Sequence, residues 1–214
     1  MVFALALCAC SNATFTSSSS DADTALSQET KDSNAVATEK EEEKIQSSES
    51  GNLVKFTMEN GGSFIIELYP QFAPETVRNF QNLVASGFYD GLTFHRVVEG
   101  FMAQGGDPEG TGMGGSDETI TGEFALNGFA TNTLSHTRGV VSMARSQNYD
   151  SASSQFFICY DDASFLDGQY AAFGKVIEGM EVVDAFLEIE RRYSNGELSS
   201  PVEPIVIESA VVVE

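Results

Sequence analysis

The sequence has no tryptophan and few positive charges. Its 11 lysine and arginine residues stand against 32 aspartate and glutamate residues, for a formal net charge of −21 over 214 residues. Nucleic acids and anionic membrane surfaces are recognised by basic faces, so this balance argues against both as partners. We interpret the acidity as a contribution to solubility. Because the chain has 16 phenylalanines and no tryptophan, phenylalanine is expected to fill the core.

Cysteine and histidine are also scarce, with three and two copies. Cys8 and Cys10 are too close in sequence for a disulfide between them to stabilise a fold, and Cys159 stands alone in "QFFICY". No disulfide framework is therefore predicted. A single cysteine in an apolar strand is typical of a small buried hydrophobe. The two histidines have no cysteine or acid at ligand spacing, so no metal site is predicted.

The amino terminus, "MVFALALCACSNATFTSSSS", joins a short apolar run to a cysteine and then to serine-rich sequence. The run is too short to span a bilayer, which takes about 20 apolar residues. Residues 1–10 resemble the end of a bacterial lipoprotein signal peptide, with a lipobox that would place the lipid on Cys10. The resemblance implies attachment to the extracytoplasmic face of the cell membrane. The basic region of a signal peptide is missing before Val2, so either the true start lies upstream or the segment is not a signal.

The next stretch, residues 11–52, is rich in serine and acidic side chains and poor in large apolar ones. Such a composition cannot bury enough apolar surface to offset the entropy of the chain. We therefore predict a disordered acidic tether over residues 11–52 and a single globular domain over residues 53–214.

Short apolar runs bounded by turn signals recur through the globular domain. "LVKFTM" and "SFIIELY" flank the sequence "ENGG", which predicts a β-hairpin. Pro74 suits the first turn of a helix, and Phe80 and Val84 follow at helical spacing as its core anchors. "GMEVVDAFLEIE" predicts a second helix. Many strands with two isolated helices favour a closed antiparallel β-barrel with helices as caps.

A glycine-rich stretch, "GGDPEGTGMGGSDETITG", contains Gly110, Gly112 and Gly115 at the spacing of the dinucleotide-binding fingerprint. That fingerprint functions only between a strand and a helix whose amino terminus faces phosphate. Here "SDETITGEF" follows, which is too short for the required helix, and no βαβ unit surrounds it. We therefore predict an ordered surface loop.

Four stretches, "FHRVVEGFMAQGGD", "SMAR", "SSQFFI" and "FLDGQYAAFGKVIEGMEVVD", resemble the signature blocks of cyclophilin-type peptidyl-prolyl isomerases. They occur in the family's order and spacing, and the resemblance covers residues 53–213. It implies a mainly β fold, an eight-stranded antiparallel barrel capped by two α-helices, with the active groove on its outer face. It also implies a monomeric folding catalyst, without cofactors, that acts on proline-containing peptides and unfolded exported proteins.

The target reaction explains why these blocks carry a guanidinium and apolar side chains. Rotation about an X–Pro amide has a barrier of about 18–20 kcal/mol because resonance is lost. No bond is made or broken, so the reaction needs no nucleophile, general base or metal. In the twisted transition state the prolyl nitrogen regains a lone pair, and a donor aimed at it binds that state better than either planar form. Arginine stays charged at physiological pH and offers a planar fork of donors.

The resemblance assigns roles to twelve residues. Arg96 would be the catalytic donor, with Phe101 and Gln104 as its catalytic companions, the latter contacting the substrate backbone and steadying the arginine. The other nine would bind substrate in the proline pocket or the adjoining groove: His95, Met102, Ala144, Arg145, Gln155, Phe157, Phe165, Leu166 and Tyr170. His136 is expected to be structural.

Two positions depart from the pattern of many eukaryotic members. Phe165 stands where those members carry a tryptophan that donates a hydrogen bond to cyclosporin, so we expect weakened cyclosporin binding with activity retained. Tyr170 stands where they carry histidine. A phenol can still fill the pocket wall, as it does in several bacterial members. This second change affects fine substrate preference rather than the reaction.

Two alternatives to the isomerase hypothesis come from other classes. A binding module could grip proline-containing loops without turnover, but it would have no need to retain Arg96 beside the pocket residues. A hydrolase built on His95 lacks a nucleophile motif such as G-x-S-x-G.

Overall fold

The computed structural model describes residues 51–214 and contains one large sheet, a separate hairpin and two α-helices. The predicted lipobox at Cys10 and nearly all of the predicted tether lie outside the described residues. None of the helices that the structure describes is long and apolar enough to cross a membrane. The elements are β1 (Leu53–Met58), β2 (Ser63–Leu68), α1 (Pro74–Ala85), β3 (Thr93–Val98), β4 (Met102–Asp107), β5 (Val140–Met143), β6 (Phe156–Cys159), β7 (Ala172–Glu178), α2 (Met180–Asp184), β8 (Arg191–Ser194), β9 (Glu197–Pro201) and β10 (Ile207–Val213).

Eight strands form an antiparallel curled sheet in the order β10-β1-β2-β7-β5-β6-β4-β3. The eight strands and the two helices agree with the predicted architecture, but the predicted closed barrel is wrong because the hydrogen-bond ladder does not close. The two edges of the sheet meet at an isolated bridge between Thr93 of β3 and Val206, the residue before β10, where Phe94 donates to the carbonyl of Ile205 and Ile207 to that of Leu92. Strand β9 packs beside β3, whereas β10 forms its ladder with β1.

Phenylalanine fills the core on the concave side of the sheet, as predicted. Phe56 and Phe64 stack with their ring centroids 5.1 Å apart, and Phe156 meets Phe80 edge-on at 5.4 Å. Edge-on and offset contacts of this kind are favoured by the quadrupole of the rings. Helix α1 begins at Pro74 and covers this core. The phenylalanines that share the cluster are Phe56, Phe64, Phe80, Phe94, Phe124, Phe156, Phe173 and Phe186.

The second helix is shorter than predicted. Helix α2 ends at Asp184, and a 3₁₀ turn over Ala185–Glu188 continues it. The chain then forms the β8–β9 hairpin, a two-stranded sheet of its own. Asn195 and Gly196 connect these strands with φ values of 52° and 88°. A two-residue connection with positive φ at both positions is a type I′ turn, for which Asn-Gly is the preferred sequence.

Candidate active site

A β-bulge in β3 places two consecutive side chains on the outer face of the sheet. Phe94 pairs with Gly105 and Arg96 pairs with Gln104. Two steps along β3 therefore correspond to a single step along β4. His95 is therefore the extra residue of the bulge. Phe94 and Val97 both point into the core, which would be impossible in a regular strand because they are three residues apart. The bulge thus turns Arg96 outward.

The Arg96 guanidinium is held from two sides. Its Nε and Nη2 donate to the two carboxylate oxygens of Glu197, the latter at 3.0 Å. On the other side, Nη1 donates to Oε1 of Gln104 at 3.0 Å. The guanidinium carbon lies 5.9 Å from the ring centroid of Phe101. The side chain remains 34% exposed, so Arg96 faces the groove while its orientation is fixed.

Gln104 belongs to a chain of hydrogen bonds that leads away from Arg96. Its Nε2 donates to Oε1 of Gln155 at 2.8 Å, and Nε2 of Gln155 donates to the carbonyl of Gly114 at 2.7 Å. Because each amide receives a bond at oxygen and passes one on from nitrogen, both are fixed against flipping. The glycine-rich loop rejected as a nucleotide site therefore supports the arginine indirectly.

Asp107 organises that glycine-rich loop. Its carboxylate accepts hydrogen bonds from the backbone nitrogens of Glu109, Thr111 and Gly112 at 2.6–2.9 Å. Burial acts to raise the pKa of Asp107, but these backbone donors outweigh it and hold the pKa below its usual value. A Cβ at Gly114 would lie 2.2 Å from a carboxylate oxygen of Asp107, so only glycine fits there.

The pocket beside Arg96 has an apolar floor that is separate from the main core. Its buried members are Met102, Phe157, Cys159, Ala163 and Leu166, and Phe101, Ala144 and Tyr170 are among the half-buried side chains packed against them. The floor lies on the outer face of β4 and β6, because side chains of a strand alternate between its two faces. The pocket has a volume of about 260 Å³.

The structure brings nine of the twelve predicted site residues around this one pocket. They are Arg96, Phe101, Met102, Gln104, Ala144, Arg145, Phe157, Leu166 and Tyr170. The other three lie nearby without lining it. Gln155 stands behind Gln104, and Phe165 is 65% exposed with its ring 5.7 Å from that of Phe101. His95 occupies the bulge. The roles assigned to these residues stay predictions.

Arg145 is anchored at the far wall of the pocket. Its guanidinium carbon lies 4.6–5.0 Å from the ring centroids of Phe124, Tyr149 and Tyr170. Its Nε and Nη2 donate to the carbonyl of Gln169 at 3.1 and 2.8 Å. Cations over aromatic faces are stabilised electrostatically, so this side chain is a rigid part of the wall. The sequence predicted only a substrate-binding role for Arg145 and did not indicate these side-chain contacts.

Both histidines are placed in environments that favour the neutral ring. Burial lowers the pKa of His95, although Asp107 opposes the shift, and neither ring nitrogen of His95 has a hydrogen-bond partner among the described residues. Burial also lowers the pKa of His136, opposed by its bond to Asp167. His136 bridges Asp167 at 2.8 Å and Ser142 at 2.9 Å beneath Phe157, as expected of a structural residue.

Glu197 is the site residue that sequence reasoning missed. The hydrogen bonds from Arg96 lower the pKa of its carboxyl group, against the opposing effect of burial. The Asn195-Gly196 pair was a signal for the hairpin that carries it. Nothing local in the sequence indicates that Glu197 reaches a residue 101 positions earlier.

The curled eight-stranded sheet and the guanidinium beside an apolar pocket define a mainly β protein of the cyclophilin fold. Comparisons with known proteins then identify the family. The family model described as "Cyclophilin type peptidyl-prolyl cis-trans isomerase/CLD" matches residues 53–212. The chain therefore belongs to this family, as its signature blocks predicted.

Relatives and solved structures agree with this assignment. Peptidyl-prolyl cis-trans isomerase B of Bacillus subtilis (strain 168) is 44% identical over 147 residues, 69% of this chain and 94% of that protein. Peptidyl-prolyl cis-trans isomerase A of Dickeya dadantii is 41% identical over 160 residues, covering 72% and 82%. A cyclophilin-type isomerase of Cryptosporidium parvum superimposes with a TM-score of 0.65 at 32% identity, over 77% of this chain and 98% of its own. The predicted enzyme class, a peptidyl-prolyl cis–trans isomerase that catalyses folding, is confirmed.

Proposed function

We propose that this chain accelerates X–Pro rotation in exported or surface polypeptides, with Arg96, Phe101 and Gln104 as its catalytic residues. One observation carries the proposal: the Arg96 guanidinium is fixed beside an apolar pocket of suitable size for a proline ring. The Cryptosporidium isomerase has also been solved in the presence of the dipeptide Ala-Pro, at 33% identity and a TM-score of 0.64 over 76% of this chain and 99% of that one. In this chain we expect proline-containing peptides to bind in the pocket beside Arg96.

The chemistry follows from what each part of the pocket does. The floor formed by Met102, Phe157 and Leu166 holds the proline ring, while the chain before the proline turns. As the amide twists, its nitrogen becomes pyramidal and regains a lone pair. A guanidinium N–H of Arg96 then donates to this lone pair, an interaction that neither planar isomer offers.

Magnitudes show that Arg96 cannot act alone. Acceleration from about 0.01 to about 1,000 turnovers per second needs roughly 7 kcal/mol. A hydrogen bond from a charged donor supplies about 1.5–3 kcal/mol. The remainder must come from immobilising the proline and from a groove of low dielectric that strengthens the bond.

The test is Arg96→Ala in the full chain, with Arg78→Ala on the exposed face of α1 as the matched control. We expect kcat/KM for a proline peptide to fall by about 100- to 1,000-fold, by analogy with the loss of an oxyanion donor. The control should keep the activity of the wild type. A loss below threefold in Arg96→Ala would remove the arginine from the mechanism.

Peptide binding separates catalysis from simple capture. If the pocket serves turnover, Arg96→Ala should still bind a proline peptide, because the apolar floor is intact, while rotation slows. If the protein only grips proline loops, the wild type itself should bind without accelerating exchange. NMR exchange spectroscopy on one labelled peptide measures both quantities.

The location of the enzyme is a separate part of the proposal. Lipid on Cys10 and an acidic tether over residues 11–52 would hold a monomeric domain at the extracytoplasmic face of the cell membrane, near exported chains as they fold. Cys10→Ser should release the protein from the membrane fraction, whereas Cys8→Ser should not. Unchanged fractionation of Cys10→Ser would contradict the anchor and leave the isomerase untouched.

A further inference from the structure

Glu197 contacts Arg96 but does not itself line the pocket. It is the first residue of β9, and its two carboxylate oxygens accept from Nε and Nη2 of Arg96 on β3. The side chain of Ser199, which is 3% exposed, contributes with Arg96 to the lowered pKa of the carboxylate. This is the fork-to-fork geometry in which a carboxylate fixes the plane of a guanidinium.

A count of donors shows what this contact leaves for a substrate. A guanidinium has five N–H groups. Glu197 takes one on Nε and one on Nη2, and Gln104 takes one on Nη1. The second N–H on Nη1 meets a weak acceptor, Sδ of Met102 at 3.9 Å, and the second on Nη2 has no acceptor in the part of the chain that the structure describes. One N–H on each terminal nitrogen thus stays available.

We propose that Glu197 is a positioning residue, which holds the Arg96 guanidinium in the orientation that X–Pro rotation requires. The inference rests on the proposed function of Arg96. A free arginine side chain samples many rotamers, and ordering it during the reaction would raise the barrier. With Glu197 on one edge and Gln104 on the other, that ordering is complete before substrate arrives.

The β8–β9 hairpin positions the Glu197 carboxylate beside Arg96. Glu197 directly follows the Asn195-Gly196 turn and pairs with Ser194 across it. The residue next to a two-residue turn is the one whose position the turn restrains most. Strand β9 packs along β3, which places the Glu197 carboxylate within hydrogen-bond distance of the Arg96 guanidinium.

A restraining role, in which Glu197 would draw Arg96 away from substrate, fits the geometry less well. Arg96 lines the pocket while it is paired to Glu197. Its guanidinium carbon is also 5.9 Å from the Phe101 ring centroid, on the pocket wall. The paired conformation is therefore already the one that faces the proline.

The experiment compares Glu197→Gln with Glu208→Gln in the full chain. Glu208 is an exposed residue of β10, so its variant makes the same charge change away from the pocket. Glu197→Gln is expected to lower kcat by about tenfold, the equivalent of one hydrogen bond to a charged group, with KM nearly unchanged because the apolar floor is intact. Glu197→Asp, which keeps the charge on a shorter stem, should recover part of the loss.

An NMR signal shows directly whether the arginine has been released. The Nε–Hε resonance of Arg96, assigned by its disappearance in Arg96→Lys, should shift and exchange faster with water in Glu197→Gln and stay unchanged in Glu208→Gln. An unchanged resonance, an unchanged kcat, or a rise in kcat in Glu197→Gln would each overturn the positioning role. An inactive wild type would instead refute the proposed function, so the two failures are distinguishable.

Discussion

Phe156 and Phe157 are neighbours in β6 and pack in two different apolar clusters. The Phe156 ring lies within 5.4–5.8 Å of four other rings inside the main core. The Phe157 ring meets Tyr170 edge-on at 6.0 Å on the pocket floor. One dipeptide therefore packs into the main core on one face of the sheet and lines the candidate pocket on the other.

This division predicts that two matched substitutions affect different quantities, one the stability and the other the activity. Phe156→Leu should lower the free energy of unfolding by about 1–3 kcal/mol, because it removes aromatic contacts and leaves a partly filled core, with little effect on KM. Phe157→Leu should lower kcat/KM by about tenfold, equal to about 1.4 kcal/mol, because the floor no longer fits the proline ring. Urea titration and a proline-peptide assay measure the two quantities. Equal effects of both variants on activity would contradict the separation.

The pocket floor also contains a thiol that we predict to be inert. Cys159 is fully buried, and burial, with a smaller effect of Asp167, raises the pKa of its thiol to about 12. Since the thiolate is the reactive form, Cys159 should not react with a disulfide reagent at pH 8 in the folded protein. It should react as soon as urea unfolds the chain. A variant carrying Cys8→Ser and Cys10→Ser isolates this signal, and rapid labelling without urea would refute the prediction.

Much of the candidate site could be predicted because the side chains that line the pocket come from a few contiguous stretches. Residues 94–107 supply Arg96, Met102 and Gln104 from adjacent strands and Phe101 from the turn between them, so their proximity needs only one hairpin. The spacing of Phe94 and Val97 was visible in the sequence. Their common burial was not, because a bulge depends on how β3 aligns with β4.

The failed predictions concern contacts between distant parts of the chain. Closure of the barrel required β3 to pair with β10, and no local pattern reports whether two edge strands meet. Glu197 could be placed in a hairpin from Asn195 and Gly196, but its pairing with Arg96 depends on where that hairpin docks. Sequence periodicity describes which face of an element is buried and not which distant side chain lies against it.

The two histidines predict how stability depends on pH. Burial lowers the pKa of His95 and His136 in the folded protein, whereas both rings take up protons near pH 6.5 when unfolded. Their contribution is therefore complete above about pH 6.5 and declines as the pH falls below it, since the unfolded chain then binds more protons. Urea unfolding between pH 8 and pH 5 should show this decline.

Replacing His95 provides the control for this pH effect. Its ring nitrogens are buried without partners in the described structure, so His95→Leu removes a titrating group without breaking a hydrogen bond. We expect the decline in stability below pH 6.5 to be smaller in His95→Leu than in the wild type. Activity per folded molecule should stay level from pH 6 to pH 8, because amide rotation transfers no proton. A decline of equal size in both proteins would show that His95 does not contribute.

Phe165 predicts the response to cyclosporin. Its ring is 65% exposed beside Phe101, and it has no N–H to donate. Phe165→Trp should therefore strengthen inhibition by cyclosporin by about tenfold, the equivalent of one added hydrogen bond, while kcat/KM for a proline peptide stays nearly the same. Phe165→Leu separates the effect of the indole N–H from that of ring size. Nanomolar inhibition of the wild type, or equal inhibition of wild type and Phe165→Trp, would show that this position does not control the affinity.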